Sequence, residues 1–187
     1  LIKIEINTII LYYPLMHTDI TPILSIDPGY DRVGWAVGTQ ENRKIQILEY
    51  GIIQTSSKKM IGQRYQDILK ELKIICEKHN PKTLAIEKLY FSKNTTTALR
   101  VSEAKGIIIG ACLSFVSAIF EYDPSTIKLC VTGNGAANKQ AVEKMVRMQL
   151  HLEASPQVDD TIDALAILLT HFLSHSPLQE KKNNAIL

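Results

Sequence analysis

Four acidic residues in this chain stand where an acid is hard to explain by packing alone. Asp27 closes the apolar run Ile23-Leu24-Ser25-Ile26, and Glu87 closes the run Thr83-Leu84-Ala85-Ile86. Asp160 and Asp163 lie three apart at the front of an apolar helical segment, 164–173. A carboxylate at the exit of a buried strand is desolvated and needs a partner. Four converging carboxylates repel one another unless a divalent cation neutralises them. Oxygen ligands on strand ends and a helix face suit Mg²⁺ or Mn²⁺ better than zinc. Residues three apart on a helix share a face, so Asp160 and Asp163 can serve one site. The chemistry such a cluster supports is phosphodiester cleavage. Two metals roughly 4 Å apart activate the attacking water and stabilise the departing 3′-oxygen.

Each acid also has a structural reading. Asp27 can cap a turn beside Pro28 and Gly29. Asp160 can cap the last helix and complement its dipole, and this is the preferred reading for Asp159. Glu87 has the weakest structural alternative, because buried strand ends rarely hold an unpaired glutamate.

The elements that must position these residues follow from apolar patterning. Residues 22–26 form a short continuous apolar run, as in a strand buried on both faces, and Asp27-Pro28-Gly29 ends it in a turn. Segments 33–37 and 45–55 are β-branched or alternating, with a turn around Lys44, so the first three strands form an antiparallel meander. Ile61, Tyr65, Ile68, Leu69, Leu72 and Ile75 recur at helical spacing over 61–79, and Asn80-Pro81 stops that helix. A strand at 83–86 leads into a loop, a long helix over about 95–118 and a strand at 120–122. Helices are then expected from near Ser125, over 138–150, and after Ser155-Pro156. This order implies a mixed five-stranded α/β sheet with helices on both faces and parallel strands at its centre. If the first and fourth strands are neighbours, Asp27 and Glu87 share one edge.

At 187 residues the chain has one domain's worth of sequence, with 45% hydrophobic and 21% charged residues. A net charge of +2 is too small to argue for nucleic acid, so any DNA contact must come from locally clustered Lys and Arg. Cys76, Cys112 and Cys130 form no CxxC pair, which leaves a zinc ribbon or disulfide framework unsupported and points to a reducing, cytoplasmic setting. The uncharged stretch 106–120 is shorter than a membrane span and reads as a buried central helix. Residues 1–14 make a poor signal peptide. Residues 1–15, before Met16, read as an upstream extension. The expected organisation is an extension at 1–21, a nuclease domain at 22–173 and a polar tail at 174–187.

Ser25-Ile26-Asp27-Pro28-Gly29, Gly34-Trp35-Ala36-Val37, Ala85-Ile86-Glu87 and Asp160-Thr161-Ile162-Asp163-Ala164-Leu165-Ala166 together resemble the RuvC family of Holliday-junction resolvases, within the RNase H-like superfamily. The resemblance runs from about Ile23 to His171. Single motifs are weak, since the first recurs in sugar kinases and actin-like ATPases; the ordered set is specific. It implies an RNase H-like fold with an antiparallel β1-β2-β3 meander and parallel β1-β4-β5. It also implies that Asp27 bridges two Mg²⁺ ions (Mn²⁺ can substitute), that Glu87 binds one, and that Asp160 and Asp163 complete the site. Some family members carry histidine at the Asp160 position.

Past Glu87, the loop Tyr90-Phe91-Ser92-Lys93-Asn94 sets two aromatics beside a lysine, suited to stack on or wedge between bases at an opened junction. The resemblance assigns junction-base contact to an aromatic here, either Tyr90 or Phe91, while a ring packed in the core is the alternative. Lys93, Arg100, Lys105, Lys128, Lys139 and Lys144 are candidate phosphate contacts, against a solvated surface role for each. Lys128 and Lys139 match basic positions of the family. Gly133-Asn134-Gly135 reads as a turn between helices, with backbone N–H groups for a phosphate as the alternative. Glu103 departs from the family pattern and would oppose DNA unless Arg100 or Lys105 pairs with it. His171 either supports the metal site from behind the ligands or is a core histidine with its nitrogen satisfied.

The expected function is resolution of four-way DNA junctions by paired symmetric nicks, carried out by a homodimer with two-fold symmetry. The helix around Gly106 and Gly110 offers a contact surface, though close approach to its own sheet also explains these glycines. A branch-migration helicase is a partner implied by the resemblance alone. The alternatives are a YqgF-type nuclease acting on RNA and an inactive junction-binding module. An actin-like ATPase or sugar kinase is a further alternative, but it needs a second lobe to close over nucleotide, for which 187 residues leave no room.

Overall fold

In a computed structural model, residues 21–89, 95–153 and 156–175 are described, without the side chains of 95–97 and 156–160. One five-stranded sheet, ordered β3-β2-β1-β4-β5, carries the fold expected from sequence. β1 (Ile23–Asp27), β2 (Arg32–Glu41) and β3 (Lys44–Gln54) form the antiparallel meander. β4 (Thr83–Glu87) and β5 (Ala118–Tyr122) add in parallel on the other side of β1. α1 (Ile61–His79) makes the crossover from β3 to β4 and α2 (Thr95–Cys112) that from β4 to β5. α3 (Pro124–Thr132), α4 (Lys139–Leu150) and α5 (Pro156–Ser174) follow.

Alternation along the strands divides the core into two layers. Leu24, Ile26, Leu84 and Ile86 pack with Ile68, Leu72 and Cys76 of α1 and Ile108 and Cys112 of α2. Ile23, Ala36 and Ala85 face the opposite way, onto Leu165, Leu168, Leu169 and Phe172 of α5. Each fully buried Leu or Ile stabilises the fold by about 1.5–3 kcal/mol, and α5 supplies Ile162, Leu165, Ile167, Leu168 and Leu169 of that class.

Two local devices set α5 against the sheet. The Ser25 hydroxyl donates to the Ala164 carbonyl at 2.8 Å, which pins the helix to β1 one residue beyond Asp163. Where the β2–β3 register shifts between Val37 and Gly38, a Cβ on Gly38 would come within 2.9 Å of Leu168 Cδ2 and 3.0 Å of the Gln46 carbonyl oxygen. A side chain at this position would crowd both α5 and the neighbouring strand, and glycine avoids this.

The meander turns at Asn42-Arg43, with φ of 49° and 66°, beside Lys44, which begins β3. Two expectations change. α2 ends at Cys112, six residues short of its expected end, because the backbone N–H groups of Phe115 and Val116 close a tight turn on the Cys112 carbonyl. Ala118 and Ile119 are then captured by pairing with Thr83 and Leu84. The stretch 106–120 is therefore a helix end, a turn and a strand. It is not a buried central helix, and Gly106 and Gly110 face open space.

Candidate metal centre

Parallel pairing puts Ser25 beside Ala85 and Ile26 beside Ile86, so the next residues, Asp27 and Glu87, leave the sheet side by side. Asp163, held by the Ser25–Ala164 bond, comes to the same edge. The charges of Asp163 and Glu87 act on Asp27, and that of Asp163 acts on Glu87. Burial pushes the Asp27 carboxyl up to about 7, with Asp163 and then Glu87 adding to the rise and Lys139 opposing it. Burial also raises Glu87, again with a contribution from Asp163, and Lys105 and Lys128 oppose it. Lys139 Nζ donates to Asp163 Oδ2 at 3.0 Å, and this bond holds its ammonium above the ordinary lysine range. Glu87, Asp163, Lys128 and Lys139, with Pro124 and Ile127 beneath them, line a cleft of about 300 Å³.

This donor set fits a hard divalent cation. Its donor atoms are all oxygen, its charges repel, and a lysine ammonium already stands on one of them. Among the described residues, no three His, Cys, Asp or Glu side chains by themselves surround a common point. The fourth acid, Asp160, lies in the first turns of α5, but its side chain is outside the described residues. Tyr90, Phe91 and Lys93 also lie outside them.

The basic candidates separate. Lys128 and Lys139 face the cleft. Arg100 pairs with Glu103 at 2.8 Å, and Tyr65 donates to the same carboxylate oxygen at 2.6 Å, so the acid that departs from the family pattern is neutralised locally. Lys105, with 12% of its side chain exposed, pairs with Glu121 at 2.5 Å. Its Nζ also donates to the Glu87 carbonyl at 2.9 Å. That inward placement makes Lys105 a brace for the Glu87 strand end. Lys144 lies on α4 and is absent from the cleft lining.

His171 is buried with its Nδ1 2.7 Å from the Tyr122 hydroxyl. It meets Phe120 edge-on at 4.9 Å and stacks on His175 at 4.5 Å. Burial, then His175, depresses its pKa to about 4, so it is neutral at physiological pH. These contacts favour the core reading over a supporting role behind the ligands.

Sequence reasoning passed over Ser25 and Arg64. Ser25 is the one polar residue inside the β1 apolar run. Arg64 falls on the buried stripe of α1 with Ile68, Leu72 and Ile75, and a charge on an apolar stripe is a detectable signal.

A family model described as crossover junction endodeoxyribonuclease RuvC matches residues 23–171. The crossover junction endodeoxyribonuclease RuvC of Alkaliphilus metalliredigens is 40% identical over 149 residues, covering 80% of this chain and 91% of that protein. That of Caldicellulosiruptor saccharolyticus is 39% identical over 155 residues, covering 82% and 93%. Among solved structures, Thermus thermophilus RuvC in complex with Holliday junction substrate superposes with a TM-score of 0.75 at 28% identity, covering 82% of this chain and 94% of that one.

Proposed function

The chain belongs to the RuvC family of crossover junction endodeoxyribonucleases, and from that premise we propose that Asp27, Glu87, Asp160 and Asp163 are its metal ligands. Its activity is endonucleolytic resolution of four-way DNA junctions. The observation that carries the site assignment is geometric: Asp27 and Glu87 leave adjacent parallel strands, and the Ser25–Ala164 bond brings Asp163 to the same edge. Carboxylates so placed call for a divalent cation. The family is metal dependent, and our reading is two Mg²⁺ ions per site, with Mn²⁺ able to substitute. Bound there, the ions would activate the attacking water and neutralise charge on the departing 3′-oxygen.

The chain's own residues do the rest. Asp27 and Glu87 are held by adjacent strand ends, so their separation is set by the sheet rather than by flexible loops. Lys105 and the Ser25–Ala164 bond hold the Glu87 strand end and Asp163 from behind. Lys128 and Lys139 share the cleft with any phosphate bound there, and the Lys139 side chain, 72% exposed, is open to it. Such contacts position the backbone without reading sequence. Tyr90 or Phe91 with Lys93 serve the junction bases, and Arg100 and Lys105 remain subordinate to their ion pairs.

Paired nicks require two such sites, and we assign the two-fold contact to the outer face of α2, where Leu99, Gly106 and Gly110 are exposed, continued by exposed Leu113 just past its end. The catalytic unit is residues 22–173, its partners are a second copy and, by family inference, a branch-migration helicase, and its place of work is the cytoplasm. Among the described residues no helix is long and apolar enough to cross a membrane.

The test is cleavage of a synthetic four-way junction beside matched linear duplex and an RNA–DNA hybrid, with Mg²⁺ or EDTA. Paired, metal-dependent nicks on the junction alone are expected. Cleavage of the hybrid instead would move the protein to another branch of the superfamily, and tight binding without cleavage in either metal would leave a binding module.

A further inference from the structure

We propose that Arg64 is a positioning residue for the metal centre, clamping the turn 28–31 that follows Asp27 and so fixing where that carboxylate stands. The inference rests on Asp27 being a ligand. Arg64 sits in the first turn of α1 with 8% of its side chain exposed. Its Nε donates to Thr55 Oγ1 at 2.9 Å, one guanidinium nitrogen donates to the Tyr30 carbonyl at 3.0 Å, and the same nitrogen pairs with the Asp31 carboxylate. The guanidinium also lies over the Tyr30 ring, 4.9 Å from its centroid.

Thr55 completes the clamp from the end of β3. Its hydroxyl donates to the Tyr30 carbonyl at 2.7 Å and its backbone N–H to the Asp31 carbonyl at 3.0 Å. The turn is thereby tied to two elements that are not its neighbours in sequence.

The need for such a clamp comes from the ladder. Pairing between β1 and β2 ends at Asp27 and Gly34, so the four residues between β1 and β2 lie beyond that ladder, where the Arg64 and Thr55 side chains and the Thr55 backbone N–H hold them. A guanidinium is costly to bury unless its donors are satisfied, and here one terminal nitrogen serves the turn beside the ligand while Nε serves Thr55, which holds the same turn. Asp27 is thus braced from both sides, by β4 pairing and Ser25 before it and by Arg64 and Thr55 after it.

The experiment uses the full 187-residue chain as parent, Arg64→Gln, Arg64→Lys and Leu72→Ala. The last removes core packing from the same helix and leaves the clamp intact. Mn²⁺ affinity is read by electron paramagnetic resonance without DNA, junction affinity in EDTA, and stability by denaturant unfolding. Arg64→Gln is expected to weaken Mn²⁺ binding about 10–100-fold, the range for residues that orient ligands. Arg64→Lys should recover part of that loss, Leu72→Ala should leave Mn²⁺ affinity within about 2-fold, and junction affinity should hold throughout. Equal Mn²⁺ affinity in Arg64→Gln and parent, with only stability lowered, would overturn the proposal. If Arg64→Gln does not fold, Arg64→Lys decides, since parent-like Mn²⁺ affinity there would also overturn it. A parent that binds no Mn²⁺ would instead overturn the metal reading, and the clamp with it.

Discussion

Asp27→Asn is expected to lower junction cleavage by about 10³-fold or more, beyond the 10–100-fold supplied by residues that only orient ligands. Junction affinity in EDTA should hold or rise, because one negative charge beside the phosphate path is removed. The same substitution should stabilise the metal-free protein at pH 8. Burial raises the Asp27 carboxyl from its ordinary 3.8 to about 7. Below pH 3.8 the folded and unfolded chains both hold this proton. Between there and about 7 only the folded chain holds it, so the contribution of Asp27 to stability is lost progressively as pH rises through this window.

Asparagine carries no such charge, and its advantage should therefore be absent near pH 3.8 and complete above pH 7. Its size is about 2 kcal/mol, roughly half of what an unscreened shift of this magnitude would carry. Urea unfolding in EDTA at both pH values checks it. Adding Mg²⁺ should reverse the ranking, since the parent gains binding energy and the variant does not. An Asp27→Asn variant that cleaves like the parent would remove Asp27 from the ligand set.

Gly29→Ala is expected to cost about 2–4 kcal/mol and to take metal affinity with it. A Cβ on Gly29 would overlap the Arg32 carbonyl oxygen, a backbone atom that no rotamer change can move aside. The turn must open, and its bonds to Thr55 and Arg64 must stretch or break. A methyl group two residues past the ligand thus acts on the site through the backbone. Denaturant unfolding gives the stability loss and Mn²⁺ titration the affinity loss. Parent-like values for both would mean that the turn is less constrained than its contacts imply.

The site was legible in the sequence where an acid interrupts an apolar pattern. Asp27 and Glu87 stood out because each ends a run long enough for a buried strand, and Asp163 because it leads an apolar helix. Helix α1 was legible from its stripe, and Asn80, at φ 46°, ends it as expected of a left-handed C-cap. What failed to show depends on tertiary contacts. The uncharged stretch 106–120 has no periodicity that distinguishes helix from strand, and pairing with β4 decides where β5 begins. Lys105 reads as a surface cation until Glu121 and the Glu87 carbonyl are seen to face it. Arg64 was visible as a charge on a buried stripe, but its purpose lies in Tyr30, Asp31 and Thr55, none of which is near it in sequence.

A crystal of the protein soaked in Mn²⁺ and measured at the manganese absorption edge tests the central claim most directly. Anomalous peaks between Asp27, Glu87 and Asp163, with Asp160 closing the set and Lys139 drawn off Asp163, are the predicted result. A map with no peak at the β1–β4 edge, or with manganese bound elsewhere, would contradict it.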